Sequence, residues 1–159
     1  MANFCEVSLN IPAAPDAIWG VLADLKRLPD WLPVKVDLEF PSGTTAAPGV
    51  IVKVQRDSAM GRVQLEQVFE RVEAPSTLTW KNRNELLAGK PVTQIKNFAT
   101  ILTLKPLAPT QTQVTLRSDW TPVGMMGAMA NGFLKPKLKQ EYESALANIA
   151  RLAAAAPPP

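Results

Sequence analysis

The segment LKQEYESALANIARL (residues 138–152) decides the fold, because its apolar residues recur at helical spacing. One apolar side chain follows another at steps of three or four residues: Leu138, Tyr142, Ala145, Ile149 and Leu152. This spacing predicts an amphipathic helix with one apolar face. Such a face is stable only when another element of the fold covers it.

The same spacing continues upstream of this segment, at Met125, Met129 and Phe133. Pro136 interrupts the run, and a proline inside a helix loses one hydrogen bond and clashes with the preceding turn. We therefore expect a long C-terminal helix with a kink or a break near Leu134–Lys135.

Most of the remaining sequence predicts β-strands, because apolar and polar residues alternate along it. A first strand at residues 5–11 is followed by a helix that begins at Pro15, since proline suits the first helical position. A second short helical turn is expected before Pro29. About six strands then follow in succession, near residues 34–40, 50–55, 62–70, 78–80, 92–104 and 113–120.

The facing of the 92–104 strand stays open, because both of its alternating sets contain apolar residues. Phe98, Leu102 and Leu104 favour placing the even-numbered residues on the inner face of the sheet. Ile95, Ala99 and Ile101 favour placing the odd-numbered residues there.

The predicted fold class is α+β, a curved antiparallel sheet of about seven strands wrapped around the long C-terminal helix, with two short helices after the first strand. A sheet with one apolar face needs a cover, and the terminal helix is the element long enough to supply it. The volume left between the two is a natural ligand cavity. We expect a single domain over residues 1–152 and a disordered Ala/Pro tail over 153–159.

Composition excludes several kinds of catalytic and metal site. The chain has no histidine, which rules out Ser-His-Asp and Cys-His catalysis and zinc sites with an imidazole ligand. Its single cysteine rules out thiolate clusters, and no cofactor is expected. The formal charge of +3 is mild and the basic residues are dispersed, so nucleic acid is not a predicted partner.

The sequence contains no apolar run of about 18 residues, so no transmembrane helix is expected. The N-terminal residues lack the basic and apolar regions of a signal peptide. The predicted localisation is therefore cytoplasmic.

Three segments of the chain, residues 7–19, 22–33 and 138–149, carry a resemblance to a known superfamily. They resemble the START-like (SRPBCC) superfamily, whose helix-grip fold is shared by the birch-pollen allergen and polyketide cyclase/dehydrase-like proteins. The resemblance implies a cavity with a mobile mouth that holds hydrophobic small molecules or acyl chains. It assigns no catalytic residue, because the superfamily shares no catalytic motif.

Candidate ligand contacts are the aromatic and methionine side chains on the predicted inner faces, with ordinary core packing as the alternative for each. They are Phe69, Trp80, Phe98, Trp120, Met129 and Phe133.

Three further residues are candidates for other reasons. Gln67 shares a face with apolar residues, and a buried amide without a partner costs about 1–3 kcal/mol, so a ligand, water or another side chain must bond to it. Trp31 lies near the expected mouth, either as a gate or membrane-touching residue or packed on the end of the sheet. Tyr142 either donates a hydrogen bond into the cavity or packs its ring in the core.

Three functional hypotheses follow. The first is a carrier or sensor that binds a hydrophobic small molecule or lipid, with transient membrane contact as a further hypothesis. The second is a polyketide cyclase or dehydratase in which Gln67, Tyr142 or an inward arginine (Arg56 or Arg71) polarises a carbonyl group. The third is a protein–protein interaction module that uses the same groove or the basic stretch 135–139. The ligand's identity and the oligomeric state are left open.

Overall fold

A computed structural model of the protein describes residues 3–155. The elements follow the predicted order of strand, short helices, successive strands and long helix. The strands are β1 (Asn3–Ile11), β2 (Asp37–Glu39), β3 (Ile51–Ser58), β4 (Gly61–Glu73), β5 (Thr77–Leu87), β6 (Lys90–Pro91), β7 (Ile95–Ala108) and β8 (Gln111–Pro122). The helices are α1 (Pro15–Ala23), a 3-10 turn (Leu25–Arg27), α2 (Leu28–Trp31) and α3 (Gly124–Ala155).

All the strands form one antiparallel sheet in the order β1-β8-β7-β5-β4-β3-β2, with β6 paired to β5. The first strand lies beside the last, so that Val7 is opposite Leu116. The α+β helix-grip fold is therefore confirmed, with the short hairpin strand β6 added to the strands that alternation predicts.

A bulge in β7 explains why its facing could not be predicted. The register with β8 shifts between Lys96 and Ala99, and Asn97 adopts a left-handed backbone conformation with φ of 56°. Because the bulge inserts an extra residue, Ile95 and Phe98 pack on the same side although they are three residues apart. Beyond the bulge the inner face follows the phase of Phe98, with Leu102 buried.

The strand predicted near residues 34–40 is shorter than its alternating pattern suggests. Only residues Asp37–Glu39, which form β2, pair with β3, and β2 is the strand at one edge of the sheet. Val34 and Val36 instead line a cavity described below. The alternating pattern therefore identified partly buried side chains in this segment, although most of the segment is not a regular strand.

The terminal helix α3 covers the inner face of the sheet, as its spacing predicts. Leu138, Ala145 and Ile149 are buried against the strands and against α1. The expectation of a kink or a break near Leu134–Lys135 is wrong as far as the break is concerned, because helical structure continues through Pro136 to the end of α3. A kink at this point stays a prediction.

The beginning of the predicted tail also needs correction. Ala153 is buried and the helix includes Ala155, so residues 153–155 belong to α3. Residues 156–159 lie outside the described part of the chain. Within residues 3–155, no helix has the combination of length and apolar character that a membrane span requires.

Two glycines of α3 provide a matched pair that tests how the helix docks. A Cβ added at Gly127 would lie 2.5 Å from the carbonyl oxygen of Gln94 and 3.0 Å from the carbonyl carbon of Pro122, whereas one added at Gly132 meets nothing within 4 Å. We expect Gly127→Ala to lower the free energy of unfolding by roughly 2 kcal/mol, because the backbone must move to admit the methyl group. Gly132→Ala should raise it by about 0.5–1 kcal/mol, since alanine favours helix. Urea unfolding of both variants checks this, and equal effects would contradict the close contact at Gly127.

Candidate functional site

A cavity of about 150 Å³ lies between the inner face of the sheet and α3. Its wall is formed by the end of α2, the segment before β2, five strands of the sheet and α3. Apolar side chains form most of this wall: Trp31, Leu32, Pro33, Val34, Val36, Val54, Leu65, Trp80, Phe98, Leu116, Leu138 and Ala145. The polar side chains of the wall are Arg56, Gln67, Asn82, Thr100, Glu141 and Tyr142.

The cavity wall contains five of the nine residues that the sequence analysis predicts as ligand contacts. They are Trp31, Gln67, Trp80, Phe98 and Tyr142. They come from α2, β4, β5, β7 and α3, which are distant along the chain but adjacent in the fold. Their role as ligand contacts stays a prediction.

Phe69 and Trp120 lie in the core beside the cavity and do not line it. The ring of Phe69 packs behind Trp80, with centroids 5.6 Å apart, and is only 2% exposed. The Trp120 ring stacks on Phe98, and its Nε1 donates a hydrogen bond of 2.8 Å to Asn131 Oδ1. For these two residues, core packing was the better interpretation.

The expectation that Met129 and Phe133 face inward is wrong. Their side chains are 66% and 80% exposed. The opposite face of α3 contacts the sheet here, through buried Gly127 and through Asn131, which bonds to Trp120. Apolar spacing pointed to the wrong face because the residues that dock this end are a glycine and an asparagine.

Tyr142 anchors a chain of hydroxyl groups at one side of the cavity. Its hydroxyl group shares a hydrogen bond with Ser118 on β8, and Ser118 shares another of 2.7 Å with Thr100 on β7. Burial raises the pKa of Tyr142 to about 12, although its hydrogen bonds with Ser118 and Thr100 oppose this change. The phenol is therefore protonated at neutral pH and acts as a hydrogen-bonding group.

An ion pair that the sequence did not reveal completes the polar part of the wall. Arg56 on β3 approaches Glu141 on α3, with 3.8 Å between Nη1 and Oε1. Nothing in the sequence distinguishes Glu141 from the exposed charges of α3, and only the register of the helix on the sheet brings it inward. The expectation that Arg71 could face inward is wrong, because this side chain is exposed and pairs with Glu73 at 2.7 Å.

A further carboxyl group, that of Glu85 on β5, is partly buried. Burial raises the pKa of Glu85 on β5, while a hydrogen bond with Asn82 and the charge of Arg56 partly oppose this change. Asn82 itself is one of the residues of the cavity wall. No sequence pattern around β5 indicated this arrangement.

Comparison with known proteins gives one family match. The family model described as "Polyketide cyclase / dehydrase and lipid transport" matches residues 5–154. A comparison with curated proteins found no match.

Several solved structures have the same fold. The Zhui aromatase/cyclase from Streptomyces sp. R1128 is 15% identical with a TM-score of 0.73, over 97% of this chain and 94% of that one. Norcoclaurine synthase from Thalictrum flavum, solved with dopamine and hydroxybenzaldehyde, is 14% identical with a TM-score of 0.74, over 100% and 90%. Ara h 8.0201 is 12% identical with a TM-score of 0.68, over 98% and 100%. At these identities the similarity shows the fold alone.

Proposed function

Because this chain belongs to the polyketide cyclase / dehydrase and lipid transport family, with a hydrophobic ligand-binding fold, we propose that it binds a small apolar molecule in the cavity under α3 as a carrier or sensor. The observation that carries the proposal is the cavity itself, with a mostly apolar wall shared by the sheet and the terminal helix. Removing apolar surface from water supplies the driving force, at about 25 cal/mol per Å² before the costs of association.

The size of the cavity limits the ligand. A volume of about 150 Å³ is close to that of an engineered protein cavity that binds benzene, whereas pockets for drug-sized ligands have volumes of about 300–1,000 Å³. A molecule of about one aromatic ring therefore fits the cavity. Because the cavity is partly open to solvent, a longer acyl chain or a polycyclic compound would extend out of it through the opening.

Filling the cavity from α3 tests the proposal. Ala145 is 1% exposed and lines the cavity, so we expect Ala145→Leu to occupy ligand volume. Toluene affinity, followed by nuclear magnetic resonance titration, should fall at least about tenfold, which corresponds to the 1.4 kcal/mol contribution of roughly two buried methylene groups.

The matched control is Ala150→Leu, a half-buried alanine of the same helix that is not part of the cavity wall. This variant should bind toluene as the unaltered protein does. If toluene does not bind the unaltered protein, or binds both variants equally well, the cavity is not the ligand site.

An enzyme of the cyclase or dehydratase type is the second candidate, and the polar part of the wall favours it. Arg56, held by Glu141, could polarise a carbonyl group of a bound substrate. Product analysis with a β-keto thioester decides between the candidates. Turnover that Arg56→Met abolishes while toluene still binds would favour the enzyme, and absence of turnover would favour the carrier.

Contact with a membrane stays a prediction, but Trp31 is not the residue that would make it, since it is buried. The exposed apolar face of α3 is the surface suited to this contact: Met125, Met126, Met129 and Phe133. Exposed lysines at 135, 137 and 139 follow this face and favour anionic lipid. Co-sedimentation with anionic but not neutral vesicles would support the contact.

A further inference from the structure

The Arg56 side chain extends from β3 towards α3 at the wall of the cavity. It is 29% exposed, and its Nη1 lies 3.8 Å from Glu141 Oε1 on α3. This distance allows electrostatic attraction but is too long for a hydrogen bond. In the described part of the chain, Arg56 therefore has an ionic partner but no hydrogen-bonded one.

The other arginines that form ion pairs differ from Arg56 in this respect. Each of them donates a hydrogen bond of 2.8–3.0 Å to the carboxylate of its partner: Arg62 to Asp57, Arg71 to Glu73, Arg83 to Glu66 and Arg117 to Asp119. Their side chains are 35–58% exposed, so Arg56 is the least accessible of the five. A guanidinium group has five N–H donors, and those of Arg56 are available to water or to a ligand in the cavity.

The charges around Arg56 leave an excess of positive charge at this side of the cavity. Glu141 is shared by two cations, because Lys137 Nζ lies 4.0 Å from the same Oε1 atom. Two positive charges and one negative charge give this cluster a net charge of +1. The charge of Arg56 also acts on Glu85, but burial raises the pKa of that carboxyl group and so favours its neutral form. One further negative charge would therefore balance the cluster.

A carboxylate is the group that fits this position. It carries one negative charge, and its two oxygens match the fork of N–H donors that arginine presents. We propose that the ligand is a compact monocarboxylate of about one ring, whose apolar body fills the cavity and whose carboxylate binds the guanidinium group of Arg56. This inference rests on the proposed function, because it specifies the polar group of the ligand in the same cavity.

Three probes with the same ring test the inference: benzoate, nitrobenzene and toluene. Nitrobenzene is the neutral counterpart of benzoate, since its two oxygens have the same planar arrangement. In nuclear magnetic resonance titrations, benzoate should bind at least about tenfold more tightly than nitrobenzene, because hydrogen bonds between charged groups are the stronger ones. Without Arg56 the order should reverse, since a charged group is costly to remove from water. Benzoate should also displace toluene, because both occupy the same cavity.

Glu141 provides a variant for which the inference predicts a gain. Glu141→Gln keeps the shape of the side chain but removes the negative charge that competes with a ligand carboxylate for Arg56. The affinity for benzoate relative to nitrobenzene should therefore rise at least about threefold. Glu143→Gln is the matched control, an exposed glutamate of the same helix outside the cavity wall, and it should leave this ratio unchanged.

A second variant removes the proposed donor itself. Arg56→Met keeps an unbranched side chain without the N–H groups, and the affinity for benzoate relative to nitrobenzene should fall at least about tenfold. Arg27→Met removes the same charge from a partly buried arginine that does not line the cavity, and it should leave the ratio unchanged.

The possible outcomes separate this inference from the proposed function. If benzoate binds no more tightly than nitrobenzene, or binds without displacing toluene, the inference is overturned and the apolar cavity still stands. If none of the three probes binds, the proposed function fails with it. Should Arg56→Met fail to fold, Glu141→Gln decides, since a rise in the ratio supports the inference and a constant or lower ratio overturns it.

Discussion

Replacing Leu146 with alanine is expected to lower the free energy of unfolding by about 2–5 kcal/mol, the range for removing a buried leucine side chain. Leu146 is 1% exposed and lies in the main core cluster, where α3 meets the sheet and α1. The loss combines the transfer of the missing methyl and methylene groups with the cavity that remains. Denaturant unfolding measures this loss, and the slope of the free energy against denaturant concentration should stay unchanged.

Leu107→Ala is the matched control, because the same atoms are removed from a side chain that is 45% exposed. Its effect should be within about 0.5 kcal/mol, as is usual for surface substitutions. A small loss in Leu146→Ala, comparable to that of the control, would show that α3 is not packed on the sheet as described.

Raising the pH is expected to destabilise the protein through Tyr142. The pKa of this residue is raised to about 12 in the folded protein from its ordinary value of 10.0, so the folded state holds the proton more tightly than the unfolded chain. Its contribution to stability is complete below pH 10 and declines as the pH rises to about 12. The expected loss is about 3 kcal/mol, from about 1.36 kcal/mol per unit of pKa.

The titration can be read directly, because Tyr142 is the only tyrosine of the chain. Tyrosinate absorbance in the near ultraviolet should appear close to pH 12 in the native protein and close to pH 10 in denaturant. Tyr142→Phe is the control, since it keeps the ring but has no hydroxyl group to ionise. Its free energy of unfolding should therefore not show the loss of about 3 kcal/mol between pH 10 and pH 12. A native midpoint near pH 10 would show that the hydroxyl group is not enclosed.

The fold was predictable from periodicity because most of the chain has one strongly apolar face in each element. The stripe from Leu138 to Ile149 predicted both the helix and the surface that it covers. Periodicity failed where a local irregularity changed the phase, as at Asn97 in β7, and where a docking face is not apolar, as at Gly127 and Asn131. Pro136 did not end the helix, which shows that tertiary packing can outweigh a local preference.

The cavity was only partly predictable for a different reason. Large aromatic residues such as Trp80 and Phe98 could be nominated by type, but type does not distinguish a cavity wall from the core behind it. Asn82 and Glu141 become part of the wall through the register of β5 and the rotation of α3, which a single sequence does not specify.

The pairing of β1 with β8 has a consequence for how the protein is made. Asn3 lies opposite Trp120, so β1 acquires β8, its partner strand within residues 3–155, only after more than a hundred further residues have been translated. Until then its main-chain groups stay unpaired, and contacts between distant parts of a chain form slowly. Nascent chains halted before β8 should accordingly remain open to proteases, and the native state should appear only once this last strand has emerged.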